Sequence, residues 1–342
     1  LAVRAALASV PPGTPLLVAC SGGADSTALA AAAAHLTDRW PVHAAVVDHG
    51  LQDGSAGVAV RTADLLEGLG LPTRVLTVEV DGPGGVEAAA RRARYAALRA
   101  ARPTPESPVL LGHTLDDQAE TVLLGLGRGS GARSLAGMAA WNPPWLRPLL
   151  GLRRETTRAA CAALGLPVWD DPHNADARFT RVRLRREVLP LLEDVLAGGV
   201  AEALARTAAQ LADDDAALTA VAAAARTAAE RPAAEGPAGS PNAAERPAAE
   251  LDAAVLAGHP AAVRRRVLRS WLLDSGVREL TDDHLRAVDA LVGRWRGQGG
   301  PALPGGLEVV RVAGRLTVRP VTAENLTSGS SFAGPNEGTL DA

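Results

Sequence analysis

The stretch from Leu16 to Leu29, LLVACSGGADSTAL, constrains this chain more than any other. Leu16 to Ala19 form a short apolar run suited to a buried strand, Ser21, Gly22 and Gly23 make a tight turn, and a helix opens near Asp25. Paired glycines let the backbone approach a ligand closely. The first amides of a helix lack internal partners, so they and the helix dipole favour a bound anion. Strand, turn and helix in this order predict a phosphate cradle built from Ser21, Gly22, Gly23, Ala24, Asp25 and Ser26. An ordinary strand-to-helix turn explains the glycines alone, but not two hydroxyls and a carboxylate placed around them. The pattern is neither a phosphate loop ending in GK[ST] nor the GxGxxG dinucleotide fingerprint.

Downstream, apolar runs alternate with helical patterns, which predicts an α/β fold with a parallel sheet. The expected strands are Val42 to Val47, Arg74 to Val80 and Val109 to Leu111. Helices are expected up to about His35, from about Gly57 to Leu69, and over GGVEAAARRARYAALRA. In an open parallel sheet ligands sit beyond the carboxyl ends of the strands, so polar residues at those ends become candidates. The second strand ends in Asp48 and His49, for which a turn cap and a solvated loop histidine are equally good explanations. Glu87, Arg91 and Arg94 share one helix face, and spacing alone favours a solvated face with one ion pair. The fourth strand runs into GHTLDDQAET, where Asp116, Asp117 and Glu120 crowd a helix opening beside His113 and Gln118. Capping by one acid explains part of this. Two adjacent acids raise one carboxyl pKa unless a cation or metal is near, and either outcome suits an amine nucleophile or magnesium.

The chain contains no lysine, so all 35 of its basic residues are arginines. Arginine and backbone amides must therefore supply the fixed positive contacts to phosphate, with a divalent metal expected to help. The net charge of −3 argues against indiscriminate nucleic-acid binding, but residues 147 to 186 hold nine arginines against four acids. Two cysteines, Cys20 and Cys161, fit a reducing compartment and leave no CxxC pair. With no leader and no apolar run of about 18 residues, a cytoplasmic protein without membrane association is expected.

The turn resembles the SGGxDS loop of the PP-loop ATP pyrophosphatases, with Ser21, Gly22, Gly23, Asp25 and Ser26 in place. Further blocks resemble the tRNA(Ile)-lysidine synthetases within that superfamily. These are the VDHG tip at Val47 to Gly50, EAAARRARY as ExxxRxxRY, and GHxxDDQxETxxxxLxRGxGxxxLxGM from Gly112 to Met138. A strand WLRPLL at Trp145 to Leu150 follows, then DPxNxxxxFxRNxxRxxxLPxL, matched by Asp171, Pro172, Asn174, Phe179, Arg181, Arg185, Leu189 and Pro190. Thr114 and Val182 depart from residues common in the family, a second histidine and an asparagine.

The resemblance implies a Rossmann-like parallel sheet of PP-loop type with helices on both faces, over residues 1–190. A smaller, mostly helical domain is expected over 191–322, with a low-complexity insertion at 228–250, where AERPAAE occurs twice. It closes on a hairpin of Leu307 to Val312 with Leu316 to Arg319, and a disordered tail at 323–342 follows. The helix around VRRRVLRSWLL reads equally as an RNA-facing surface or as an amphipathic helix on a core.

The function implied is ligation of L-lysine to C2 of the wobble cytidine of an isoleucine tRNA with a CAU anticodon. ATP adenylates the tRNA, AMP and diphosphate leave, and codon reading changes from AUG to AUA. The implied cofactors are ATP and Mg2+. Nucleotide contacts are expected from residues 21 to 26, Asp48, His49, Arg91, Arg94 and His113, and metal ligation from Asp25 and Asp117. Catalytic roles are expected for Asp25, Asp116, Asp117, Glu120 and Arg181, with the division between base and metal ligand left open. A different adenylating tRNA-modifying enzyme, such as a 2-thiolase, is the alternative, and a non-catalytic nucleotide-binding module is a third reading. The oligomeric state is left open, a homodimer included.

Overall fold

The structure is a computed structural model describing residues 1–52, 54–83, 85–129, 131–170, 178–231 and 249–321. The expected tail at 323–342, most of the low-complexity insertion and the motif residues Asp171, Pro172 and Asn174 lie outside the described residues. Two compact units part between Asp213 and Asp214, within the helix Val200–Ala229. No helix among the described residues is long and apolar enough to cross a membrane.

The first unit is built on a six-stranded sheet of β1 (Leu16–Cys20), β2 (Val42–Asp48), β3 (Thr73–Thr77), β4 (Val109–Leu111), β5 (Trp141–Asn142) and β6 (Trp145–Leu146), in the order β3-β2-β1-β4-β6-β5. All pairings are parallel except that of β5 with β6. β1 is central and all five of its residues are buried, as a strand covered on both faces requires. Its alternation divides the core. Leu16, Val18 and Cys20 pack with Leu29, Ala30, Ala33 and Leu66 on one face, while Leu17 and Ala19 pack with Leu98, Val109 and Trp145 on the other. The helices Ala24–Ala34 and Ser55–Gly68 thus cover one side of the sheet, and Gly85–Ala100 the other. Each fully buried leucine contributes about 1.5–3 kcal/mol.

The chain runs outward from β1 to β3 and returns to place β4 on the other side of β1. That reversal opens a crevice beyond the carboxyl ends of β1 and β4, the place where such sheets bind ligands. There the two segments nearly touch. A Cβ on Gly112, just after β4, would lie 2.9 Å from the Cα and amide nitrogen of Ser26, so only glycine lets the two segments approach this closely.

Two strands are shorter than expected. β3 stops at Thr77 rather than Val80. β6 holds only Trp145 and Leu146, because Pro148 has no amide to donate and the chain turns with Leu150 N–H bonded to the Arg147 carbonyl.

In the second unit β7 (Glu230–Arg231), β8 (Glu250–Asp252), β9 (Ala302–Leu303), β10 (Leu307–Val312) and β11 (Arg315–Pro320) form an antiparallel sheet in the order β7-β8-β11-β10-β9. The expected hairpin is β10 and β11. The sheet around it was not foreseen, and the two ends of the low-complexity stretch pair as β7 and β8. The helix Ala261–Asp274 buries Val263, Val267, Leu268, Trp271 and Leu272. Its Arg264 grips Asp289 through both carboxylate oxygens at 2.7 and 3.0 Å, and Arg266 meets Asp215 at 2.7 Å. The amphipathic reading therefore describes this helix.

Candidate active site

The turn after β1 takes the form the sequence predicts. Gly22 has φ +82°, a left-handed conformation, and a Cβ there would strike the Thr62 hydroxyl at 2.6 Å. Gly23 caps the helix Ala24–Ala34 with no side chain bonded to its first turn, and Gly23, Ala24, Asp25 and Ser26 line the crevice there. Ser26 turns inward: its hydroxyl accepts from Ser21 N–H at 3.1 Å and donates to the Gly23 carbonyl at 3.0 Å. It stiffens the turn.

Two cavities adjoin the turn. One, of about 360 Å³, lies against Ala45, Val46, Val47, Val58 and Ala59, with Asp48 and His49 at its polar end. The second, of about 640 Å³, is lined by Ala24, Asp25, Ser26, His113, Asp117, Arg154, Arg158, Arg185 and Arg186. Ser21, Gly23, Arg94 and Trp169 line both. Asp48 accepts from Gly50 N–H at 3.0 Å, the turn cap expected of it, and it also lines the first cavity.

The acids meet across Arg154. Its Nε donates to Asp25 at 3.2 Å, its Nη2 to Asp117 at 2.5 Å, and its Nη1 lies 3.6 Å from Glu120. Arg185 completes the group, with Nε 2.8 Å from Glu120 and Nη2 3.5 Å from Asp117. A wider π-type helical turn at Leu184–Val188 carries Arg185. Glu120 is fully buried, so it depends on these two guanidiniums. Burial pushes the Asp25 carboxyl above its ordinary range despite the Thr157 hydroxyl and Arg154, and the Asp117 charge adds to the push. Burial acts the same way on Asp117, but Arg154, the Thr114 amide, His113 and Arg185 outweigh it and hold that carboxyl below its ordinary range.

Three expectations need correction. Asp116 does not face the crevice; it accepts from the Arg154 backbone N–H at 2.7 Å and pairs with Arg153 at 3.4 Å, which caps the helix Arg154–Ala163. Arg91 is exposed, bonded to the Tyr95 hydroxyl at 3.1 Å and lying over its ring, so of the helix arginines expected at the site only Arg94 lines the cavities. Arg181 is half-buried and lines neither cavity, while Arg185, one turn on, reaches the acids. Gln118 is a brace rather than a reacting group, exchanging bonds of 2.8 and 3.0 Å with the backbone of Met138.

Asp25 and Asp117, the expected metal pair, come together around a guanidinium. Asp25 takes Thr157 on one oxygen and Arg154 on the other. Asp117 takes Arg154 and Arg185 on Oδ1, and the Thr114 N–H (2.8 Å) and hydroxyl (3.0 Å) on Oδ2. Among the described residues no group of three or more histidine, cysteine or acidic side chains is placed to hold a metal ion. With no nucleotide in place, the oxygens of this pair are taken up by Arg154, Arg185, Thr114 and Thr157.

Arg154, Thr157, Trp169 and Arg185 are among the site residues missed by sequence reasoning. The signal for Arg154 was the arginine excess between residues 147 and 186, which has no periodicity to single out one member.

His113 Nδ1 is buried without a partner. Burial first, then Arg94, Arg147 and Arg91, push its pKa down to about 3 although Asp117 pulls the other way. Between that value and the unfolded value near 6.5 the unfolded chain binds a proton that the folded chain refuses. Stability contributed by this residue is present above about pH 6.5 and is lost as pH falls, at about 1.4 kcal/mol per pH unit. Urea midpoints measured from pH 7.5 to 4.5 are expected to fall more steeply for the parent than for His113→Gln; parallel curves would contradict the assignment.

The fold and site define a PP-loop nucleotide-binding protein. The PP-loop domain family matches residues 4–192, and the TilS substrate binding domain family matches 251–317. A tRNA(Ile)-lysidine synthase of Nocardia farcinica is 58% identical over 93% of this chain and 96% of its own length. One from Mycobacterium tuberculosis (strain ATCC 25618 / H37Rv) is 57% identical over 87% of each chain. This chain belongs to the tRNA(Ile)-lysidine synthase family. Among solved structures, the U34-tRNA thiolase NcsA from Methanococcus maripaludis with its [4Fe-4S] cluster aligns with a TM-score of 0.52 at 17% identity, over 61% of this chain and 77% of that one, and shares the fold.

Proposed function

We propose that this protein ligates L-lysine to C2 of the wobble cytidine in an isoleucine tRNA with a CAU anticodon, using ATP. The observation that carries the reading is that the turn carboxylate Asp25 and the helix acid Asp117 face one cleft beside the turn, joined through Arg154, which also reaches the buried Glu120. The turn amides hold the β and γ phosphates, and the aliphatic cavity takes the adenosine. The cytidine O2 attacks the α phosphorus, diphosphate leaves, and AMP stays on the tRNA. The lysine amine then attacks C2 and expels AMP. That amine must first lose a proton, and Asp25, whose carboxyl burial raises, is the readiest acceptor in the group.

The thiolase alternative is disfavoured by the two cysteines, both buried, with Cys161 Sγ bonded to the Ala24 carbonyl at 3.4 Å. The test is incubation with the tRNA transcript, labelled lysine and ATP with magnesium as its counter-ion, followed by mass spectrometry of the nucleosides. A lysine-bearing cytidine is expected. Diphosphate release with sulfur or ammonia transferred instead of lysine would overturn the reading.

A further inference from the structure

The second cavity has charged and polar walls over most of its surface: Asp25, His113, Asp117, Arg154, Arg158, Asp170, Arg185 and Arg186. Apart from the imidazoles of His49 and His113, Trp169 is the one aromatic residue lining either cavity among the described residues, and it lines both. Its position is fixed by the backbone. Trp169 N–H donates to the Gly22 carbonyl at 2.8 Å, and its Cβ lies 3.5 Å from where a Cβ on Gly22 would stand. The indole is thereby carried at the rim of the phosphate turn. It remains 36% exposed, a large apolar surface left open to solvent beside a charged cleft.

We propose that the indole of Trp169 is the platform on which the target pyrimidine stacks, so that the base enters the second cavity with its O2 beside the α phosphate. The proposal rests on the function proposed above and deepens it. An enzyme that modifies a base must present that base unstacked from its neighbours, and proteins hold such bases between aromatic or apolar faces. The adenine has its own apolar surroundings in the first cavity, among Ala45, Val46, Val47, Val58 and Ala59. A base entering the second cavity finds charged side chains, the smaller His113 imidazole and one large flat apolar surface, the indole. That surface adjoins the turn where the α phosphate must lie, because Trp169 is bonded to the turn itself. An adenine stacked on the same ring from the first cavity is the rival arrangement.

Stacking on an aromatic side chain is worth a factor of roughly five to a hundred per base. The experiment compares the full chain with Trp169→Ala, Trp169→Leu and Trp169→Phe. It measures kcat/KM for the tRNA transcript at saturating ATP and lysine, and the affinity for labelled ATP without tRNA by equilibrium dialysis. Trp169→Ala and Trp169→Leu are expected to lose about tenfold or more in kcat/KM for tRNA with ATP affinity within about twofold of the parent, while Trp169→Phe keeps most of its activity. The leucine variant preserves apolar bulk and a folded turn without a flat ring, so it separates stacking from packing. Loss of ATP affinity in step with activity assigns the ring to adenine and overturns the proposal. Unchanged tRNA kinetics, or a phenylalanine variant as poor as alanine, also overturn it. A parent protein that transfers no lysine removes the reading beneath it, whereas an active parent with an indifferent Trp169→Ala variant removes the platform alone.

Discussion

Arg154→Met is expected to destabilise the first unit by about 3–5 kcal/mol and to abolish lysine transfer. The guanidinium is the shared partner of Asp25, Asp117 and Glu120, and methionine keeps its length and apolar stem without the charge. Removing it leaves three carboxylates, one fully buried, with Arg185 as the remaining ionic partner described for Asp117 and Glu120. A melting temperature lower by about 10 °C is the expected reading, and Glu120→Gln added to the variant should recover part of it. Equal melting temperatures for parent and Arg154→Met would show that the acids carry no such dependence. Arg154→Lys is expected to restore little, because one ammonium cannot direct separate donors to three carboxylates as a planar guanidinium does.

Asp25→Asn is expected to lower lysidine formation by about a hundredfold or more, with the circular dichroism spectrum unchanged. The amide is nearly the same size as the carboxylate and can still accept from Thr157, but it cannot take a proton from the incoming amine. With Asp25 as acceptor the loss falls on the lysine step, so a first-turnover burst of diphosphate remains. Turnover at the parent rate would remove Asp25 from the chemistry, and loss of the burst would move its role to the adenylation step.

What was legible in the sequence is what neighbours along the chain determine. β1, the glycine turn and the helix from Ala24 were readable because apolar run, positive-φ glycine and uncapped helix start are all local signals. The acids of the helix Leu115–Gly127 were readable as a crowd, but their division of labour was not. Asp116 and Asp117 are adjacent in sequence and point to different partners, one to a backbone amide of another helix and the other into the cleft. Arg154 and Trp169 matter because of where the fold puts them, against segments more than a hundred residues earlier, and nothing in their own neighbourhood announces it. Arg91 was misplaced for a related reason, since helical spacing fixes which residues share a face but not how far along the helix the cleft extends.

The cluster of acids and arginines also has an order in time. Asp25 and Arg154 are 129 residues apart, and Glu120 and Arg185 are 65 apart. At ordinary rates of synthesis the turn and its acids emerge roughly ten seconds before the last arginine that neutralises them. Arg154 becomes available to Glu120 before Arg185 does, and the pairing of Glu120 with both guanidiniums is complete only once the helical turn bearing Arg185 has been made.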